Sequence, residues 1–275
     1  SGLAKGEGTL RLTALWAGKP VGEKTIAVQD GFFTTQLDLE EIHLWEAGKG
    51  GLYTLLLSLE NDQVSSYFGL RTVAFQGRKF LLNGKPLFQR FVLDQGFYPD
   101  GIYTAPTEED LIRDITLSFA AGFNGARLHE KVFEPRFLYH CDRLGYLVWG
   151  EFPNWGLDHS HPLATEIVLN QWSEAVERDC NHPAIIGWCP FNETWGYHEE
   201  KEQNALLSSL YKLTKRLDPT RPCIDASGNF RVLSEVYDIH DYDQNTETFR
   251  QRWDSFTEKI RENGGSIPKD DPFFQ

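Results

Sequence analysis

Acids and imidazoles recur in this chain at the ends of short apolar runs. The run Ile185, Ile186, Trp188 reads as a buried strand, and Asn192-Glu193 follows where a barrel strand would hand its tip to a loop. A carboxylic acid at such a tip can serve as a proton donor. Trp195, just beyond it, offers an aromatic face expected to shield the Glu193 carboxyl, raise its pKa and keep it protonated. The competing reading makes Glu193 a cap for the next helix. Asp94, His129, Glu151, Asp225 and Asp241 end other strand-like runs in the same manner. Chemistry gathered at the C-terminal ends of successive strands is the pattern of a (β/α) barrel. A doubly wound sheet would also collect polar groups there and is the structural runner-up. The barrel is favoured because neither Gly-x-Gly-x-x-Gly nor Gly-x-x-x-x-Gly-Lys-Ser/Thr occurs after any strand.

Two regimes of sequence must position these residues. Up to about residue 77 the chain reads as β: Leu10, Leu12, Ala14 and Trp16 alternate with Thr9, Arg11, Thr13 and Leu15. Thr25 to Val28, Phe32 to Leu37, Leu52 to Leu59 and Tyr67 to Phe75 are further strand candidates, separated by turn residues such as Asp30-Gly31. This reads as a partial immunoglobulin-like β-sandwich over residues 1–77, since the complete domain has about seven strands. Asn83-Gly84 between Phe80-Leu81-Leu82 and Pro86-Leu87-Phe88 predicts a hairpin.

Strand and helix patterns alternate from there. Thr107 and Asp110 predict a capping box before Leu111, Ile112, Ile115 and Phe119; Pro135 opens a second helix that Gly145 stops. Helices are also expected over Leu163 to Asp179, Gln203 to Leu217 and Thr246 to Glu262, with strands at Phe123 to Leu128, Tyr146 to Trp149 and Val236 to Ile239. Residues 78–275 thus read as a TIM-type (β/α)8 barrel truncated after about six βα units.

A net charge of −13 argues against nucleic acid or an anionic membrane surface as partner. No apolar run reaches the ~20 residues that span a bilayer, and a cytoplasmic location is expected. Cys141, Cys180, Cys189 and Cys223 lack Cys-x-x-Cys spacing and read as reduced thiols. His159 and His161 stand in a loop and read as surface residues, so no metal or other cofactor is expected. Methionine is absent even at position 1, so the first residue is read as a processed or cut boundary.

The segments LLNGKPLFQRFVLDQGFYPDG (81–101), GFNGARLHEK (122–131), LGYLVWGEFPNWG (144–156) and FNETWG (191–196) together resemble family 2 glycoside hydrolases, the β-galactosidase and β-glucuronidase relatives. The resemblance implies a sandwich joined to a barrel and a retaining β-glycosidase acting on a carbohydrate substrate. It places the catalytic acid/base on Glu193 and the residue that bonds the sugar 2-hydroxyl on Asn192. Arg127 and His129 match residues of the second strand beside the site, Asp94 an acid holding sugar hydroxyls, and His240 and Tyr242 a contribution near the sixth strand. Glu151 is assigned a structural or sugar-binding role, and Trp195 with the aromatic group Trp149, Phe152, Trp155 and Trp188 can stack on sugar faces. For Arg127 the structural alternative is an ion pair inside the barrel.

A retaining mechanism needs two carboxyls about 5–5.5 Å apart. The resemblance puts the nucleophile on a seventh strand, expected beyond Gln275, so this piece is expected to hold the proton donor without its partner and to be inactive alone. Two other readings stay open: a metal-dependent barrel hydrolase using His129, His240 and Asp241, and a non-catalytic carbohydrate-binding or assembly module. Unpaired edges of an open barrel predict homo-oligomers or aggregation.

Overall fold

The computed structural model describes residues 2–4, 7–159, 161–194, 200–228 and 230–266. In the first part β1 (Gly2–Ala4) pairs with β4 (Gly31–Phe33), and β2 (Gly8–Trp16), β3 (Lys19–Val28), β5 (Tyr53–Leu59) and β6 (Asp62–Phe68) make an antiparallel sheet in the order β3-β2-β5-β6. The alternation read from the sequence sets its faces: Leu10, Leu12 and Ala14 are buried. Phe33, Leu37 and Leu39 pack over that side from the segment after β3. An apolar groove of about 870 Å³ runs along this face, lined in part by Leu10, Leu12, Leu55, Leu57 and Leu59.

The strand β6 is mostly exposed and polar, so it lacks the apolar period that betrays a strand; its ladder to β5 holds it, from Tyr53↔Phe68 to Leu59↔Asp62. Tyr67 to Phe75 is accordingly split: Tyr67 and Phe68 end β6, and β7 (Val73–Gln76) belongs to a separate three-stranded sheet with β8 (Lys79–Leu82) and β9 (Lys85–Pro86). The turn between β8 and β9 is the expected Asn83-Gly84, with both residues at positive φ, 52° and 74°.

The second part is a parallel sheet in chain order: β10 (Phe91–Asp94), β11 (Gly125–Leu128), β12 (Leu147–Glu151) and β13 (Ile185–Cys189). β14 (Phe191–Asn192) continues the last of these and pairs in parallel with β15 (Ala226–Ser227), after a parallel bridge between Trp188 and Cys223. Between the strands run α1 (Glu108–Ala120), α2 (Pro135–Leu144), α3 (Pro162–Asp179) and α4 (Glu200–Leu217), and α5 (Thr246–Glu262) follows. α1 starts on the Thr107/Asp110 capping box, and Gly145 ends α2 at φ 74°. β12 and β13 interlock by exchanging tryptophan for glycine: Trp149 lies opposite Gly187, Trp188 opposite Gly150. A Cβ on either glycine would come within 2.6 Å of the facing indole. Leu111, Ile115, Phe137, Leu138, Val168, Trp172, Leu206 and Leu210 bring the helices onto this sheet in one core.

The expected sixth strand, Val236 to Ile239, is not a ladder among the described residues. Asp225 explains part of this, because its Oδ2 accepts from Val232 N at 2.6 Å and Leu233 N at 2.7 Å and folds the chain into a loop there. Asp238 then turns its carboxylate toward Ser227 Oγ and Gly228 N, a side-chain link in place of backbone pairing.

A polar seam joins the parts. Arg71 donates to Pro183 O at 2.9 Å and Ile185 O at 2.6 Å. Tyr67 OH donates to buried Asp142 Oδ2 at 2.9 Å, and Trp45 Nε1 to Asp142 O at 2.7 Å. Among the described residues no helix is long and apolar enough to cross a membrane.

Candidate active site

Strand geometry decides which residues meet. Along β11 side chains alternate, so buried Ala126 and Leu128 flank Arg127, which reaches across the strand tips. Its Nε pairs with Glu151 Oε1 at the end of β12, its NH2 donates to Asn192 Oδ1 at 2.6 Å, and its NH1 lies 3.4 Å from His240 Nε2. The ion pair expected as the structural alternative for Arg127 is thus present, and the same guanidinium also holds Asn192. Glu151 is fully sequestered; burial pushes its carboxyl above the usual range against the pull of Arg127.

Asn192 is fixed on both sides. Asn154, wholly buried, accepts from its backbone N at 2.7 Å and donates to its backbone O at 3.0 Å. With Oδ1 taken by Arg127, the buried Nδ2 of Asn192 has no hydrogen-bond partner among the described residues. An orphaned buried donor costs about 1–3 kcal/mol unless something arrives to accept from it. Next to it Glu193 sits at φ 46°, left-handed backbone uncommon outside glycine, held by Glu193 N donating to Ser227 O at 2.8 Å. That turn ends the strand and swings the carboxyl into a cavity of about 330 Å³ beside Arg127, His129, His240 and Tyr242.

The carboxyl is well furnished with partners. Tyr242 OH donates to Glu193 Oε1 at 2.6 Å, and His240 Nδ1 lies at 2.6 Å from the same oxygen. Burial alone would push Glu193 up, but the hydrogen bonds with Tyr242 and His240 and the attraction of the His240 ring outweigh it, leaving the pKa below the ordinary glutamate value. The expectation of a raised pKa is therefore corrected: the partners come from a loop some fifty residues on, which no local pattern announces. Trp195, expected to do the raising, lies outside the described residues.

His129 is buried beneath the exposed Trp155, edge to face at 5.1 Å. Gln95 Nε2 donates to its Nδ1 at 2.9 Å, and burial together with the Arg127 charge brings its pKa down to about 4. It is a neutral imidazole at neutral pH. Asp94 does not join this group. Its neighbours Leu93 and Gln95 line the cavity, while its own Oδ1 accepts from Gly96 N at 2.8 Å, and burial raises its pKa. The period of a strand sends adjacent residues to opposite faces.

Asp225 caps its loop through the bonds from Val232 N and Leu233 N. Asp241 lies at the cavity edge with its carboxylate bound to Arg252 at 2.6 Å and Trp253 Nε1 at 3.0 Å. Both ring nitrogens of His240 and both carboxylate oxygens of Asp241 are engaged with protein groups, and among the described residues no group of three or more His, Cys, Asp or Glu is arranged to hold a metal. His159 is packed against Phe191, ring centroids 5.1 Å apart, not free on the surface. Sequence reasoning missed Asn154, Glu130, Ser227 and Asp238. Glu130, at φ 55°, accepts from Asn154 N at 2.8 Å and Trp155 N at 2.9 Å through one oxygen, and so sets the loop that carries both.

Fold and site together define a sheet domain joined to a (β/α) barrel with an Asn-Glu pair at a strand tip. The chain matches the family model of the glycosyl hydrolases family 2 TIM barrel domain over residues 73–263, and a second model of glycosyl hydrolases family 2 over residues 8–71. It is 31% identical over 233 residues to a β-galactosidase of Vibrio vulnificus (strain CMCP6), covering 78% of this chain and 22% of that protein. A β-glucuronidase of Rattus norvegicus is 32% identical over 203 residues, covering 68% of this chain and 30% of the relative. The crystal structure of Parabacteroides merdae β-glucuronidase with glycerol in its active site shares the fold at a TM-score of 0.80 and 22% identity, over 93% of this chain and 34% of that one. The chain belongs to glycosyl hydrolases family 2. It spans between about a fifth and a third of the length of these curated relatives.

Proposed function

We propose that the chain carries the acid/base half of a retaining β-glycosidase site. The observation that carries this reading is the unpartnered amide of Asn192 beside the Glu193 carboxyl. Asn192 Nδ2 donates to the sugar 2-hydroxyl, a bond that strengthens as oxocarbenium-like charge develops at the anomeric carbon. Glu193 protonates the departing oxygen. Arg127 holds the Asn192 amide in the donating orientation, Glu151 anchors Arg127, and Tyr242 and His240 position the acid. His129 and the exposed Trp155 form the wall on which a sugar ring rests, and we assign Trp195 to the same wall by resemblance.

The other carboxylates described around the cavity each hold a protein group in place. Glu151 is bound to Arg127, Glu130 to two backbone amides, and Asp241 to Arg252 and Trp253. We therefore assign the nucleophile to a barrel strand outside the described residues, and we divide the chain into a sandwich domain over 1–77, immunoglobulin-like in plan, and a barrel domain over 78–275. A second carboxylate brought within about 5.5 Å would raise the pKa of Glu193 by like-charge repulsion and favour the protonated carboxyl that delivers the proton.

The chain alone is expected to bind β-glycosides and to hydrolyse aryl β-galactosides and β-glucuronides no faster than its Glu193→Gln variant. Asn192→Ala should weaken sugar binding by about tenfold to a hundredfold, as loss of one buried hydrogen bond does, with little effect on a 2-deoxy sugar. Equal loss for both sugars, or turnover that survives Glu193→Gln, would refute the assignment.

A further inference from the structure

We propose that Asp238 and Ser227 fix which nitrogen of His240 carries hydrogen, so that His240 Nδ1 and Glu193 hold one proton between them as a single store at the site. This rests on the reading of Glu193 as the acid/base and adds Ser227 and Asp238 as positioning residues acting through the imidazole.

Hydrogen counting carries the inference. Ser227 Oγ touches Asp238 Oδ2 and lies 2.9 Å from His240 Nε2. A hydroxyl has a single hydrogen, and an ionised carboxylate can only accept. Asp238 is ion-paired with Arg231 at 3.0 Å and accepts from Gly228 N at 3.3 Å, so the Ser227 hydrogen goes to Asp238. The contact between Ser227 Oγ and Nε2 then needs its hydrogen on the ring. With Nε2 protonated, Nδ1 of the neutral imidazole is a bare lone pair, and it faces Glu193 Oε1 at 2.6 Å. Two acceptors at that distance require a proton between them, so either Glu193 is the acid or His240 the imidazolium.

The other groups around the ring agree with this count. Tyr242 OH, 3.4 Å from Nδ1, sends its hydrogen to Glu193 at 2.6 Å. Arg127 NH1 is a donor only, and its 3.4 Å approach to Nε2 is beyond ordinary hydrogen-bond length, so the 2.9 Å contact to Ser227 decides. The Arg127 guanidinium, the Glu193 and Asp238 carboxylates and neutral His129 are the other charged or titratable groups around the ring. The backbone bond from Glu193 N to Ser227 O, beside the Asn192↔Ser227 pairing, holds acid and relay in one ladder. In the glycosidic step the nucleophile bonds to the anomeric carbon and the C–O pair goes to the leaving oxygen, which takes the shared proton. A Glu193 carboxylate and a neutral His240 remain. When water later attacks the same carbon, the bond to the nucleophile breaks with its electron pair returning to the nucleophile's oxygen, and the water's proton returns to the pair.

The test is nitrogen NMR of the chain with labelled histidine side chains, with His240 assigned by a His240→Gln variant. The neutral His240 ring should carry hydrogen on Nε2, and Ser227→Ala should lose this single-tautomer signature while Ser227→Thr keeps it. Should Ser227→Ala fail to fold, Asp238→Asn serves: the Ser227 hydrogen is released toward Nε2 and the ring hydrogen moves to Nδ1. A wild-type ring protonated on Nδ1, or a tautomer unchanged in the variant that folds, overturns the proposal. Failure of the glycosidase reading is separate: it would appear as equal loss of binding in Asn192→Ala for sugars with and without the 2-hydroxyl, whatever the tautomer.

Discussion

Mild acid should weaken this protein through His129, and the size of the effect follows from where the ring sits. The imidazole is 4% exposed, it accepts a hydrogen bond from Gln95 Nε2, and the Arg127 charge lies nearby. Protonating Nδ1 would put hydrogen against hydrogen at Gln95 and a second cation beside the guanidinium. Its pKa accordingly drops from the ordinary 6.5 to about 4. The unfolded chain binds a proton that the folded one refuses throughout that interval, so stability is whole above pH 6.5 and is lost as pH falls from 6.5 toward 4. At ~1.4 kcal/mol per pKa unit the limiting loss is ~3 kcal/mol, and ~2 kcal/mol of it is gone by about pH 5. Urea unfolding followed by tryptophan fluorescence at about pH 7.5 and about pH 5 measures the loss, and His129→Gln should remove ~2 kcal/mol of it. His140 and His159, whose pKa values burial also lowers, contribute equally to both proteins, so the difference isolates His129. The reasoning is refuted if the variant retains the full pH dependence of the wild type.

Glu130→Ala should free the Asn154 and Trp155 amides, which amide hydrogen exchange would show as selective loss of protection, at a cost of about 1–3 kcal/mol per stranded donor. Gly145→Ala should destabilise by more than about 1 kcal/mol in thermal unfolding, because φ is 74° and a Cβ would lie 2.6 Å from Glu46 O and from the Gly48 and Gly50 nitrogens. The ladder ends at β10, whose Leu93 is 58% exposed, so the chain is expected to self-associate; a single monomeric species in sedimentation at micromolar concentration would contradict this.

Much of the scaffold was legible because several local signals agreed at the same residues. α5 runs over Thr246–Glu262 as its period predicts, and Asn245 caps it by accepting from Glu247 N and Thr248 N. β6 was not legible, since Asp62–Phe68 shows no apolar alternation and exists through its partner strand. In the site, Glu193, Asn192, Arg127 and His129 were readable as polar residues at strand ends, and the structure brings them together. The resemblance assigns Asp94 to sugar hydroxyls, whereas in the structure its neighbours Leu93 and Gln95 line the cavity and its own carboxylate accepts from Gly96 N. Asn154, Ser227 and Asp238 carry no mark of their own. Each matters only because folding sets it against a residue distant in the chain: Asn154 against Asn192, Ser227 and Asp238 against His240. The same long-range approach of Tyr242 and His240 reversed the expected shift at Glu193.

The seam at Arg71 has a consequence for how such a protein can vary. Its guanidinium grips the carbonyls of Pro183 and Ile185, where β13 begins, whereas Asn192 and Glu193 stand past the far end of that strand. Mooring and chemistry thus occupy opposite poles of one short rod. Loops around the mouth can lengthen, shrink or exchange their side chains while the joint beneath them keeps its grip, and damage to the joint would be felt first as a tilt of the rod.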